Sequence, residues 1–309
     1  MKSLTISLCA LATFLPASCE RQAAVGGTGN GGTSRGTYAI VDIGSDPQKA
    51  SFPVTFSEKL PTDFGSAVYR AGKIVFKWME PGTFRMGQAR LAAPIHPVTL
   101  TKGFYIGLFE LTQNQWEQVM GPSSFRFPGN PAHPVESVSW EDIRGASEAH
   151  DWPLEPEPGN TSFMGRLSMA TAAEFRFDLP SEAQWEYACR AGTETKWSFG
   201  DSFDGADDAI WSADNSDGET REAGTRKPNP WGLFDLHGNV AEWCLDRHGF
   251  YPREAVDDPA GSAHGRHRVW RGGGWDVAPF LAQSALRSGG PAAGRYPNVG
   301  FRPVLYIAN

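Results

Sequence analysis

Asp235, Gly238 and Glu242 stand at i, i+3 and i+7 in Gly232-Leu-Phe-Asp-Leu-His-Gly-Asn-Val-Ala-Glu-Trp243. Gly238 permits a tight turn at positive φ, and such a turn aims several carbonyls at one point. Two carboxylates beside converging carbonyls form an oxygen-only cage, the donor set that a hard cation such as calcium takes. The same residues also suit a plainer arrangement, a glycine turn capped by Asp235 with Glu242 hydrogen-bonded beneath Trp243. The residues alone leave both open. Other chemistry is harder to place. His264 and His267 sit in a loop without further nitrogen or sulfur ligands at zinc spacing. His237 lies inside the turn, where a hard cation would not select imidazole. No P-loop or HExxH run is present. Two of the four cysteines fall in the first nineteen residues. Cys189 and Cys244 remain, with no CxxC pairing, and are expected as buried thiols.

The elements that must position these residues are short. Tyr38–Ile43 and Phe52–Phe56 read as strands of a small N-terminal β extension, residues 38–72. Lys73–Met79 and Pro81–Gly87 open the main domain, 73–309, as strands, followed by Val98–Thr101 and Phe104–Gly107. Thr112-Gln-Asn-Gln115 has capping-box spacing, with Trp116, Val119 and Met120 on one helical face. Ser139-Trp-Glu-Asp142 opens a second helix, and a third is expected around Ser162–Ala172. Ser181-Glu-Ala-Gln184 begins the clearest helix, which ends near Arg190-Ala-Gly192 and places Trp185 and Cys189 on its buried face. With 35 Gly, 23 Pro and 11 Trp, the chain is loop-heavy and pinned by aromatic clusters rather than by long regular elements.

Seven segments occur in a telling order: Phe84-Arg-Met-Gly87, Phe104-Tyr-Ile-Gly107, Pro134-Val-Glu-Ser-Val-Ser-Trp140, Leu179-Pro-Ser-Glu-Ala-Gln-Trp-Glu-Tyr-Ala-Cys-Arg190, Gly238-Asn-Val-Ala-Glu-Trp243, Arg268-Val-Trp-Arg-Gly-Gly-Gly-Trp275 and Asn298-Val-Gly-Phe-Arg302. The series, covering about residues 74–306, resembles the sulfatase-modifying-factor, or formylglycine-generating-enzyme, family. The resemblance implies an α+β fold, an irregular, loop-rich variant of the C-type lectin fold. It also implies calcium held by Asp235, the carbonyls of Gly238 and Val240, and Glu242. Asp stands here where Asn is frequent in the family, which keeps or strengthens cation binding. In the family's oxidases two copper-binding cysteines follow the Arg-Gly-Gly-Ser-type turn, because Cu(I) prefers sulfur. This chain has Val277 and, roughly, Ala282 in that neighbourhood and no cysteine between Gly272 and Arg287. Copper and the oxidase activity are therefore not expected. The family's disulfide partner for the Cys189 position is replaced by Pro303. What survives is a frame of Arg271, Trp275, Arg287 and Arg302, and the resemblance points to a groove lined by Arg271, Trp275 and Arg287.

The start of the chain reads as an address. Lys2, the apolar run Leu4–Leu15 and the small residues ending at Cys19 describe a secretory signal, too short to span a membrane. Cys19 invites lipidation, with Pro16 a departure from the usual aliphatic residue, and a lipid there would anchor the chain at a membrane surface. Residues 20–37, rich in Gly, Ser and Thr, form a flexible tether. A net charge of −7 without a basic stripe argues against nucleic acid as a partner.

Three functions follow. The preferred one is a non-catalytic, calcium-stabilised binding or scaffold module, exported and taking a peptide, protein or glycan. The second is an oxidase or other modifying enzyme of the resembled family. The third is a lectin-like carbohydrate binder, resting on fold analogy.

Overall fold

The computed structural model describes residues 35–44, 51–88, 94–146, 158–172 and 174–307. The expected signal segment, Cys19 and nearly all of the tether lie outside them. In chain order the elements are β1 (Tyr38–Asp42), β2 (Val54–Ser57), α1 (Ala67–Gly72), β3 (Lys73–Met79), β4 (Gly82–Met86), β5 (His96–Leu100) and β6 (Phe104–Gly107). Then come α2 (Gln113–Met120), α3 (Trp140–Arg144), α4 (Phe163–Ala170), β7 (Phe175–Asp178), α5 (Glu182–Arg190) and α6 (Ala206–Ala209). The last third holds β8 (Ala241–Arg247), β9 (Val256–Asp257), β10 (Arg268–Arg271), β11 (Arg287–Gly290), β12 (Val299–Gly300) and β13 (Val304–Ile307).

Three sheets organise these elements. The largest runs β2-β1-β3-β6-β13-β7, the second β11-β10-β8-β12, and the third β4-β5-β9. Successive side chains of a strand point to opposite faces, and in the largest sheet both faces are covered. Ala39, Val41, Ile74, Phe76 and Tyr105 enter one apolar core, whereas Val75, Met79, Phe104 and Ile106 enter another. Burial on both sides explains why these strands are apolar at nearly every position.

The expected N-terminal extension is corrected by this pairing. β1 lies between β2 and β3, in antiparallel register with both. It belongs to the main sheet rather than to a piece packed upon the domain. The helices begin as expected. Thr112, Ser139 and Ser181 each close a reciprocal capping box with Gln115, Asp142 and Gln184, satisfying donors that the first turn leaves orphaned. α5 is buried along most of its length, with Trp185 and Cys189 fully enclosed. It ends in a left-handed Ala191.

Candidate functional site

The turn before β8 has the backbone expected of it. Gly238 has φ +95°, and Asp235 and Asn239 are also left-handed at +56° and +62°. A Cβ at Gly238 would overlap the Trp211 carbonyl oxygen, so glycine is required twice over, by conformation and by space. Asp235 is 4% exposed. Its Oδ2 accepts the Gly224 N–H, while Oδ1 is buried without a hydrogen-bond partner. Glu242 lies within strand β8, not in the turn. Its carboxylate accepts Arg302 Nε at 2.7 Å, Arg302 NH2 at 2.6 Å and Trp185 Nε1 at 2.7 Å.

A third carboxylate joins this pair. Glu110 follows β6 and accepts Asn239 Nδ2 at 2.6 Å and Val240 N–H at 2.9 Å. Burial, then the charges of Asp235 and Glu242, push its pKa well above the usual carboxylate range. Burial likewise pushes Asp235 up to about 6, opposed by the Gly224 bond and Arg302. Three buried carboxylates thus lie near Arg302, with Arg70 and Arg226 also acting on Asp235. The orphaned Oδ1 of Asp235 fits a cation. Among the described residues no group of three or more His, Cys, Asp or Glu side chains is arranged to hold a metal. A cation at the expected ligands Asp235, Gly238, Val240 and Glu242 would have to share Glu242 with Arg302.

The expected groove of Arg271, Trp275 and Arg287 is not assembled as one surface. Arg271 is interior, paired with Glu182 and Glu186 and donating to the carbonyls of Ser284 and Ala285. Burying an arginine requires such pairing, so its strand position turns it under α5 and away from solvent. Arg287 pairs with both oxygens of Glu182 and lies 4.3 Å from the centre of the Tyr251 ring. Trp275 instead packs edge-on against Phe127 and donates to the Pro297 carbonyl at 3.0 Å.

Between Trp275 and Arg287 the chain folds back on itself. A Cβ built on Gly273 would meet both Val277 Cγ2 and Ala282 Cβ at 3.2 Å, so these two apolar residues converge over the same glycine. Beneath them the Ala282 carbonyl lies 2.7 Å from His237 Nδ1, and Ser198 N–H donates to His237 Nε2 at 3.1 Å. Burial lowers the His237 pKa to about 4, keeping the ring neutral. Cys189 Sγ is 3.7 Å from His237 Nε2. Its thiol is pushed up to about 12 by burial. Cys189 and Cys244 are both free and buried, as expected.

Residues 67–307 match the family model described as the sulfatase-modifying factor enzyme 1-like domain. The chain belongs to this family. Chaperone protein LppX of Paenibacillus barcinonensis is 27% identical over 67% of this chain and 81% of its own length. The formylglycine-generating enzyme of Streptomyces coelicolor is 28% identical over 60% of this chain, which spans 57% of that enzyme. Among solved structures, Treponema denticola variable protein 1 superposes with a TM-score of 0.62 at 26% identity, covering 75% of this chain and 95% of that one. The fold is accordingly the loop-rich, C-type-lectin-like α+β fold of the sulfatase-modifying-factor family. No helix among the described residues is long and apolar enough to cross a membrane.

Several residues of this family member escape a reading from sequence. Glu110 stands as a lone acid among the apolar residues Phe104–Leu111, and such isolation is the signal that could have found it. Glu182 and Glu186 look like ordinary first-turn and mid-helix acids. Only the fold turns them inward onto Arg271 and Arg287. Asp246 has no local signal at all.

Proposed function

We propose that this chain is an exported, non-catalytic binding or scaffold module, stabilised by calcium and held at a membrane surface by a lipid on Cys19. The observation that carries the reading is the apolar closure of Val277 and Ala282 over Gly273. Copper-dependent oxidation of a thiol needs soft ligands, and these two side chains supply none. The remaining thiols are poor substitutes. A cysteine acts as a ligand or nucleophile in its thiolate form, and burial raises Cys189 to about 12 and Cys244 well above the ordinary thiol value.

A calcium ion would be held by Asp235, Glu242 and the carbonyls of Gly238 and Val240. Bound there, it would satisfy the Asp235 oxygen that has no hydrogen-bond partner among the described residues. The relative named as a chaperone supports a role in binding other proteins. The apolar run before Cys19 supports export. The ligand is a peptide, a protein or a glycan.

The test is direct. Copper-loaded full chain is incubated with a reductant, oxygen and a Cys-x-Pro-x-Arg peptide, and peptide mass is followed. The expected result is an unchanged peptide mass. Loss of the thiol with the mass change to an aldehyde establishes the oxidase instead.

A further inference from the structure

A pocket of about 330 Å³ opens where the end of β8, the start of α5, β11 and residues 249–262 meet. Neither Val277 nor Ala282 lines it, and neither does Asp235. Its floor carries Asp246, Glu182 and Arg287. Its wall carries Tyr251 and His96, whose rings are 5.1 Å apart. Phe250, 93% exposed, stands among the lining residues.

The charges on the floor are unequally satisfied. Glu182 receives Arg287 on both oxygens, with Arg271 NH1 at 3.1 Å and Tyr251 OH at 2.8 Å on Oε1. Arg287 also donates to the Gly249 carbonyl. These groups are matched to one another. Asp246 is different. It is 4% exposed, and its one hydrogen bond among the described residues comes from the Glu182 N–H to Oδ2, at 2.7 Å. No ion pair reaches it among those residues. Oδ1 is left for an occupant of the pocket. Gly261, at φ +77°, closes against this carboxylate, and a Cβ there would lie 2.7 Å from Asp246 Cβ and 3.0 Å from Oδ1.

A carboxylate oxygen that no donor reaches among the described residues, on a residue lining a pocket, takes a cationic or hydrogen-bond-donating partner. A metal ion is disfavoured, since no metal-holding group of side chains exists among the described residues and the walls are aromatic. A guanidinium would want both carboxylate oxygens in a planar fork, and one is already used. A primary ammonium is a compact charge with rotatable donors. An alkyl stem behind it would lie along Tyr251 and the exposed Phe250.

The geometry points to this pocket as a binding site for a primary ammonium on an alkyl chain, with Asp246 as its anion and Phe250 as the contact for the stem. A lysine side chain of another protein and a free alkylamine share this chemistry. The inference does not rest on the proposed loss of oxidase chemistry, because the residues are different.

Calorimetric titration of the full chain with pentylamine, and separately with an acetylated, amidated lysine tripeptide, tests it. Saturable binding of at least one probe is expected. Binding of the peptide alone identifies a protein-borne lysine, and binding of the amine alone identifies a small molecule. Asp246→Asn should weaken the bound probe by about tenfold or more, the scale of one hydrogen bond to a charged group. Phe250→Ala alters an exposed side chain and leaves the core intact. It should weaken the same probe severalfold at an unchanged melting temperature, so the inference stays falsifiable if the Asp246 variant fails to fold. Absence of binding by both probes overturns the assignment. Undiminished binding in the two variants does so as well.

Discussion

The carboxylates of this protein are buried in numbers that a folded chain tolerates only with partners. Glu242 and Arg302 form a bidentate pair, with both side chains almost fully enclosed. Removing one member of such a pair leaves the other charge uncompensated, at a cost of about 3–5 kcal/mol. Arg302→Met should therefore lower the unfolding free energy at neutral pH by that amount in urea titrations. The proposed calcium would act through Asp235 as well as this pair. A cation bound only by the folded state stabilises it by mass action. A chelator should lower the melting temperature of the native chain, and Asp235→Ala should erase the difference between calcium and chelator. Equal melting curves for the native chain in both conditions would remove the cation site. Asp246 adds a dependence on pH. Burial and the Glu182 charge push it up to about 7, against about 3.9 when unfolded. Between those values the folded chain keeps a proton that the unfolded chain has released. Its contribution to stability is present below about pH 4 and is lost as pH rises through 7. Asp246→Asn should flatten that part of a stability profile taken from pH 4 to pH 8.

Helix α5 is the element on which most of the interior depends. Its cap residue Ser181 accepts the Gln184 N–H at 3.1 Å, and Gln184 answers on the Ser181 N–H at 2.9 Å. The first turn so held presents Glu182 to Arg271 and Arg287, while Glu186 one turn later takes Arg271 and Arg190. Ser181→Ala should cost about 1 kcal/mol, the usual value of an N-cap, read by chemical denaturation. A loss well above that would mean the cap also fixes the ion-pair network below it. Strand β8 does comparable work from the other side. It carries both Glu242 and Asp246, so one short strand supplies a carboxylate to each candidate site.

Among the described residues, the first and the last strand share one sheet. β1 and β13 belong to the same six-stranded sheet, and β13 lies between β6 and β7 in register with both. The pairing joins strands nearly two hundred residues apart in sequence. Deleting residues 304–309 should leave β7 without a neighbour and expose Val304 and Leu305 contacts in both cores. The expected outcome is a chain without a cooperative thermal transition by circular dichroism. A sharp transition in the truncated chain would show that the sheet tolerates the gap.

What the sequence determined by itself was local. Capping residues at Thr112, Ser139 and Ser181 specify helix starts through hydrogen bonds that span three residues. Glycine at 238 follows from a backbone angle, and the ordered motifs identify the family from type and spacing alone. The missing cysteines at Val277 and Ala282 were equally legible. Tertiary structure decided the rest, because partners distant in sequence have no local trace. Tyr38–Ile43 reads as a strand, but only the fold shows that a separate core covers each of its faces. Glu242 reads as a turn ligand, but strand pairing carries it to Arg302, sixty residues on. Arg271, Trp275 and Arg287 look like one groove in sequence. The twist of β10 into β11 buries the first, sets the second against Phe127 and turns the third onto Glu182. Asp246 is one acid among many until the fold leaves a single oxygen of it facing a pocket. Burial and charge balance are properties of the packed molecule, and no spacing of residues along a chain encodes them.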